Sequence, residues 1–138
     1  MKAKLGALVA CLSLLCSGAG LGAHHSFSTE YDGNKTFKFK GKVSKVEWTN
    51  PHVRFYVDVV DETGKPATWN MELDSPSALA RNGWTSRTLK VGDQVAVEGY
   101  AAKVAPNRGN VRSVVTADGR SLFAGAADDP HSGPGGPR

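Results

Sequence analysis

On both sides of Asn50-Pro51 the chain alternates apolar and polar residues with a period of two, and this pattern constrains the fold more than any other feature. Before the turn, Phe37 and Phe39 share one face, and Val43, Val46 and Trp48 continue it after a slip at Gly41; lysines occupy the opposite face. Period two is the signature of a half-buried strand, so Lys35 to Trp48 is predicted as one long strand, with Gly41 the expected place for a bulge or bend. Thr49-Asn50-Pro51-His52 breaks the alternation as a turn does. Val53, Phe55, Val57 and Val59 then alternate with Arg54, Tyr56 and Asp58 in a second strand.

The remaining punctuation completes a short list of elements. Asp61-Glu62-Thr63-Gly64-Lys65-Pro66 reads as a hairpin loop, and Thr68 to Leu73 as the third strand. In Asp74 to Gly83, Ser75 is placed as N-cap, Pro76 at the first helical position and Gly83 just past the end, the order that helix start and stop signals take. Lys90-Val91-Gly92-Asp93 turns into a fourth strand, Gln94 to Ala101. Asn110 to Thr116 forms a fifth, and Ala117-Asp118-Gly119-Arg120 leads to the short run Ser121-Leu122-Phe123. The expected fold class is therefore mostly β: three strands, one short helix, then two strands. This is the order of a small five-stranded, OB-like Greek-key barrel with its helix between strands three and four. Trp84, just after the helix, is expected to plug an end of that barrel.

The amino terminus adds a compartment. Lys2 and Lys4 precede an uncharged apolar run, Leu5 to Leu15, and the small residues of Ser17 to Ala23 follow it; this is the layout of a secretory signal peptide over residues 1–23. The run is shorter than the roughly 20 residues a spanning helix needs, so no transmembrane anchor is expected in the mature chain. Lipidation at Cys16 is disfavoured by the bulky Leu15 before it. Cys11 and Cys16 both fall in the leader, leaving the mature protein without a disulfide, thiolate metal site or cysteine nucleophile. The expectation is a periplasmic protein held together by its core alone. Residues 24–34 form an N-terminal segment, 35–125 the barrel domain, and the Gly- and Pro-rich 126–138 a disordered tail.

Chemistry is sparse. The formal net charge of +4 counts both leader lysines, and the remaining basic residues are interspersed with acids, so nucleic acid is an unlikely partner by the usual basic-stripe criterion. Ser26, Ser44 and Ser75 lack a nucleophile-elbow context, Glu72 and Asp74 read as strand-end carboxylates, and no enzymatic activity is expected. The candidates are histidines: His24, His25 and His52. Cleavage after Ala23 would let the amine and imidazole of His24 chelate one metal, with His52 as third nitrogen. Cleavage after Gly22 would place His25 third in an amino-terminal Cu(II) or Ni(II) motif; copper suits both. His131 lies in the tail. A second set, Trp48, Asn50, Tyr56 and Tyr100, is a candidate ligand-binding surface, with Trp69 weighed as an aromatic neighbour and read as core. Against both stands the plainer reading, in which the terminal histidines are a polar terminus and His52 braces its turn.

Three functions stay open: a non-catalytic exported binding or accessory module for a small ligand, metal or envelope protein; a copper-binding protein using the processed terminus; and an oligosaccharide or single-strand binder using an aromatic face.

Several motifs together carry a resemblance: Ala23-His24-His25-Ser26-Phe27, Glu30-Tyr31-Asp32, Val46 to Val53 around Asn50-Pro51-His52, Gly92-Asp93, Val97 to Tyr100, Asp118-Gly119-Arg120 and Leu122 to Gly125. The chain resembles an uncharacterised group of bacterial exported proteins, domain-of-unknown-function family 6152, over essentially the whole mature domain. The resemblance implies that the paired histidines after the leader and the Asn-Pro-His turn are family features, and it implies no activity. Leu21 departs from the family's small residue at that position of the leader.

Overall fold

Gly41 lets one strand serve two partners. In the computed structural model, which describes residues 26–125, β1 (Tyr31–Glu47) pairs antiparallel with β4 (Gln94–Ala102) through its first part and with β2 (Arg54–Val60) through its last, the two registers meeting at Lys42. A Cβ at Gly41 would stand 2.4 Å from Val57 Cγ1 and 2.6 Å from the Asp58 carbonyl oxygen, separations that only a residue without a side chain tolerates. The register slip lies three residues further on than the sequence pattern suggests. It falls between Val43 and Lys45, where Ser44 bulges and its hydroxyl meets Asp58 Oδ1 at 3.1 Å. Glycine supplies the close approach, and the neighbouring serine supplies the extra residue.

β2 continues into β3 (Pro66–Glu72) in an uninterrupted antiparallel register from Val60↔Pro66 to Arg54↔Glu72. β4 pairs with β5 (Arg108–Thr116), and β5 with β6 (Ser121–Phe123), giving one sheet ordered β3-β2-β1-β4-β5-β6. β3 also pairs in parallel with β5 at Asn70↔Arg108, Met71↔Gly109 and Glu72↔Asn110. The pairing thus runs β1-β2-β3-β5-β4 and returns to β1, with β6 added on β5. The mostly-β class and the position of the helix follow the sequence reading. The strand count rises from five to six because Ser121–Phe123 hydrogen-bonds into the sheet.

Among the described residues two short helices flank the strands. α1 (Ser26–Glu30) and the start of β1 at Tyr31, instead of Lys35, fall within the stretch expected as an N-terminal segment. Phe27 sets this segment down on the sheet, its ring 5.7 Å from Tyr31 and 5.5 Å edge-on from Tyr100. α2 (Pro76–Arg81) begins as expected, with Ser75 Oγ accepting from Ala78 N–H at 3.3 Å, and Gly83 turns the chain away at φ +84°.

The alternating apolar residues meet inside. Phe55, Val57, Met71, Leu73, Val97, Val111 and Val114 are fully buried together with Leu79 of α2 and Trp84, each large side chain contributing about 1.5–3 kcal/mol on burial. Trp84 also donates its indole N–H to the Phe123 carbonyl at 2.9 Å, tying the helix exit to β6. Among the described residues no helix is long and apolar enough to cross a membrane. Residues 1–25, with the expected signal peptide, His24 and His25, and residues 126–138, with His131, lie outside the described residues.

Candidate functional site

The alternation that points Phe55 and Met71 inward points Arg54 and Glu72 to the other side of the sheet. There, where β2, β3 and β5 adjoin, Glu72 is buried with only 5% of its surface exposed. A buried carboxylate is costly unless its charge and lone pairs are met, and here they are. Arg54, directly opposite in the β2–β3 register, donates through Nη2 to Glu72 Oε2. Arg108 Nη2, delivered by the parallel β3–β5 pairing, lies 3.2 Å from the same oxygen and 2.7 Å from Glu30 Oε2 of α1. The other carboxylate oxygen, Oε1, lies 3.0 Å from His52 Nδ1.

Tyr31 closes this hub from the α1 side. Its ring lies 5.7 Å from the Arg108 guanidinium, and its hydroxyl is buried without a hydrogen bond of normal geometry, as is Arg108 Nε. Burial, and then the Glu72 charge beside it, push the Tyr31 phenol far above its ordinary range, with Arg108 pulling the other way.

Beside the hub opens a cleft of about 520 Å³ lined by the continuous run from Val46 to His52, Glu47 included, together with Arg54; the Asn50–Pro51 peptide is cis. Its lining brings an indole, an amide, an imidazole, a guanidinium and the Glu47 carboxylate to one opening. His52 faces this cleft with 41% of its side chain exposed. With Nδ1 3.0 Å from a carboxylate oxygen, the tautomer that carries its proton on Nδ1 leaves the lone pair on Nε2.

The two residue sets expected from sequence fare differently. Trp48, Asn50 and His52 come together in the cleft. Tyr56 stands apart: its hydroxyl is 3.3 Å from Glu47 Oε2, and Lys45 covers its ring at 5.2 Å. Tyr100 is 2% exposed, packed with Tyr31, Ala102 and Phe27. This corrects its assignment to a binding surface, because α1, which the sequence pattern did not foretell, covers that ring. Trp69 packs between Phe37 and Phe39 at 5.3 and 5.0 Å. The aromatic residues therefore do not form one face. Among the described residues no three His, Cys, Asp or Glu side chains converge as a metal cluster.

Glu72, Arg54 and Arg108 were not singled out by sequence, although one signal was available. A hairpin loop centred on Thr63 places residues 54 and 72 opposite each other, and an arginine facing a glutamate there marks a cross-strand ion pair. Nothing local announces Arg108, whose partner is 36 residues away.

Fold and site together define a small mostly-β protein with a buried, arginine-clamped carboxylate holding a histidine at the rim of a cleft. The chain belongs to the family of unknown function DUF6152, whose model matches residues 10–111, a span that includes His24, His25 and the Asn50-Pro51-His52 turn. No curated protein matches the chain.

Proposed function

We propose that this chain is an exported, non-catalytic binding module of the periplasm: an OB-like barrel whose ligand seats in the cleft between Trp48 and Arg54. The leader's charged and apolar regions support export, and the return of the strand pairing from β4 to β1 supports the barrel. A non-catalytic role is supported by how the serines are engaged. The Ser44 hydroxyl serves the β1 bulge and the Ser75 hydroxyl caps α2.

The observation that carries the reading is the cleft itself, where an aromatic ring, an amide, an imidazole and a guanidinium converge on one opening while the buried Glu72 fixes two of them from behind. A few polar groups on a partly apolar concavity are the general form of a small-ligand site. Its lining sets the Trp48 ring and the Asn50 amide beside the Arg54 guanidinium, the His52 imidazole and the Glu47 carboxylate, which suits a small polar ligand that both donates and accepts hydrogen bonds. The aromatic oligosaccharide or single-strand reading loses its support with Tyr100 buried and Trp69 packed on Phe37 and Phe39.

The test is native mass spectrometry of the protein isolated from a periplasmic extract, compared with Trp48→Ala. The expected result is a leader-less chain carrying a bound small species that Trp48→Ala loses. A chain recovered with its leader, or one carrying nothing in either form, overturns the reading.

A further inference from the structure

We propose that the outer face of the sheet formed by β1, β4, β5 and β6 docks the protein on an anionic phospholipid surface, with Lys40 and Lys42 at the headgroups and Phe123 entering the interfacial layer. This face is separate from the cleft and is independent of what the cleft binds.

The first argument is register. Residues directly opposite in an antiparallel pair put their side chains on the same face of the sheet. Lys42 stands opposite Gln94, Lys40 opposite Ala96 and Lys38 opposite Glu98. Ala96 in turn faces Val115, and Glu98 faces Ser113; Val115 pairs with Ser121, and Ser113 with Phe123. The residues between them, Phe39, Val97, Val114 and Leu122, pack into the core. Four strands thus share one outer surface, with a row of lysines on β1 and an apolar border on β5 and β6, about 14 Å away at three strand spacings.

The second argument is charge. Alternate residues of a strand lie roughly 7 Å apart on one face, so Lys38, Lys40 and Lys42 form a like-charged row that the fold only partly compensates. Glu98 meets Lys38 at 3.4 Å. Asp58, opposite Lys42 on β2, gives its Oδ1 to the hydroxyls of Ser44 and Thr68 at 3.1 and 2.7 Å. Lys40 and Lys42 are exposed and have no ion-pair partner among the described residues. Lysines near an anionic membrane surface each gain by attraction to it.

The third argument is the apolar border, which selects a lipid surface over a soluble polyanion. Phe123 is 43% exposed and Val115 36%, side by side with the lysine row in the register above. The Phe123 carbonyl accepts the Trp84 indole N–H at 2.9 Å, which ties the strand down while its side chain stands on the outer face. A soluble polyanion would engage the lysines and leave Phe123 in water. A bilayer interface uses both, because binding there grows with buried apolar area as well as with attraction to anionic headgroups.

Vesicle co-sedimentation of the purified chain, in the form the cell produces, tests this. Vesicles of phosphatidylcholine mixed with phosphatidylglycerol are expected to carry the protein down, those of phosphatidylcholine alone are not, and added salt is expected to release it. Lys40→Gln combined with Lys42→Gln is expected to weaken binding about 30-fold, and Phe123→Ser about fivefold or more. Lys65→Gln combined with Arg81→Gln removes the same charge from exposed positions on none of these four strands, and is expected to leave binding unchanged. Parent affinity in the Lys40 and Lys42 double variant, or an equal loss in the Lys65 and Arg81 pair, overturns the docking face. Parent affinity in Phe123→Ser overturns the lipid as its occupant. Equal sedimentation of the unmutated protein with both kinds of vesicle sinks the proposal without recourse to any variant.

Discussion

His52 Nδ1 lies 3.0 Å from Glu72 Oε1, a contact between a turn residue and the last residue of β3 that makes a surface imidazole depend on a buried charge. Arg54 and Arg108 compensate that charge from two different strands, and Glu30 extends the chain of ion pairs to α1. The turn, the β2–β3 hairpin, the parallel β3–β5 junction and the amino-terminal helix are thus coupled through one carboxylate. A change at Glu72 is therefore read at all four.

Glu72→Gln is expected to destabilise the fold by about 3 kcal/mol, because removing one member of a buried ion-pair group leaves its partners uncompensated. Arg54 and Arg108 would face a neutral amide, and the amide would present an N–H toward donors. Urea unfolding with tryptophan emission measures the loss. A midpoint equal to that of the parent would show that the two guanidiniums are satisfied by water and that the hub is not structural.

How much of this was legible in the sequence depends on the range of the interaction. Period two gave the strands because one face of each is buried, and the caps of α2 were readable because Ser75, Pro76 and Gly83 act within one turn. Ser44 as the bulge was not readable: a glycine three residues earlier carries the stronger local signal, and the choice between them is made by packing against Val57 and Asp58. α1 was missed because Ser26–Glu30 is short and its stability comes from Phe27 on Tyr31 and Tyr100, a tertiary contact. By sequence, Trp48 and Asn50 read as part of an aromatic surface and His52 as a metal ligand; the structure brings these three together in one cleft because they flank one turn. The hub behind them was missed because Arg108 reaches Glu72 only through the parallel β3–β5 pairing.

Gly41→Ala tests the close approach of β2 to β1. Its new methyl would collide with Val57 Cγ1 at 2.4 Å and with the backbone oxygen of Asp58 at 2.6 Å, and a backbone atom cannot swing aside as a side-chain tip does. A loss in the overpacking range, about 1–3 kcal/mol or more, is expected. The same thermal-melting series should include Ser75→Ala, which removes the acceptor for Ala78 N–H and should cost about 1 kcal/mol. A Gly41→Ala protein that melts above Ser75→Ala would show that β2 yields to the added methyl without loss.

Tyr31 governs the alkaline limb. Its folded-state phenol is raised, by burial first and by the Glu72 charge second, while in the unfolded chain it titrates near 10. Its contribution is therefore fully present below about pH 10 and is lost as pH rises beyond that, since only the unfolded state sheds the proton there. Tyr31→Phe should unfold less readily than the parent above pH 10, and near neutrality it should be close to the parent, because it also deletes a buried hydroxyl with no partner. Absorbance at 295 nm across urea series at each pH reads both effects. A Tyr31→Phe alkaline limb that coincides with the parent's would mean that Tyr31 ionises freely in the folded protein.

The acid limb is set partly by two turn aspartates. Asp61 accepts from the Thr63 hydroxyl at 2.6 Å and from the N–H groups of Thr63 and Lys65 at 2.8 and 2.9 Å, and these bonds, the Thr63 hydroxyl foremost, lower its pKa. Asp118 is lowered in the same way, first by the Thr116 hydroxyl and then by the Arg120 backbone. For a carboxyl depressed in the folded state, the stabilisation is present above the unfolded value of about 3.9 and disappears as pH falls through the lower folded value. Both turns are exposed, so each effect is small and is best read as a slope. The double substitution Asp61→Asn with Asp118→Asn should lower the melting temperature slightly at pH 7, where the charged acceptors act. The melting curves of parent and variant should draw together below about pH 4 and meet only as pH falls through the depressed folded values, where the parent's carboxyls become neutral in the folded state as well. Differential scanning calorimetry from pH 2 to pH 7 follows that convergence. A gap that stays constant down to pH 2 would show that the turns are held by backbone geometry and not by the two charges.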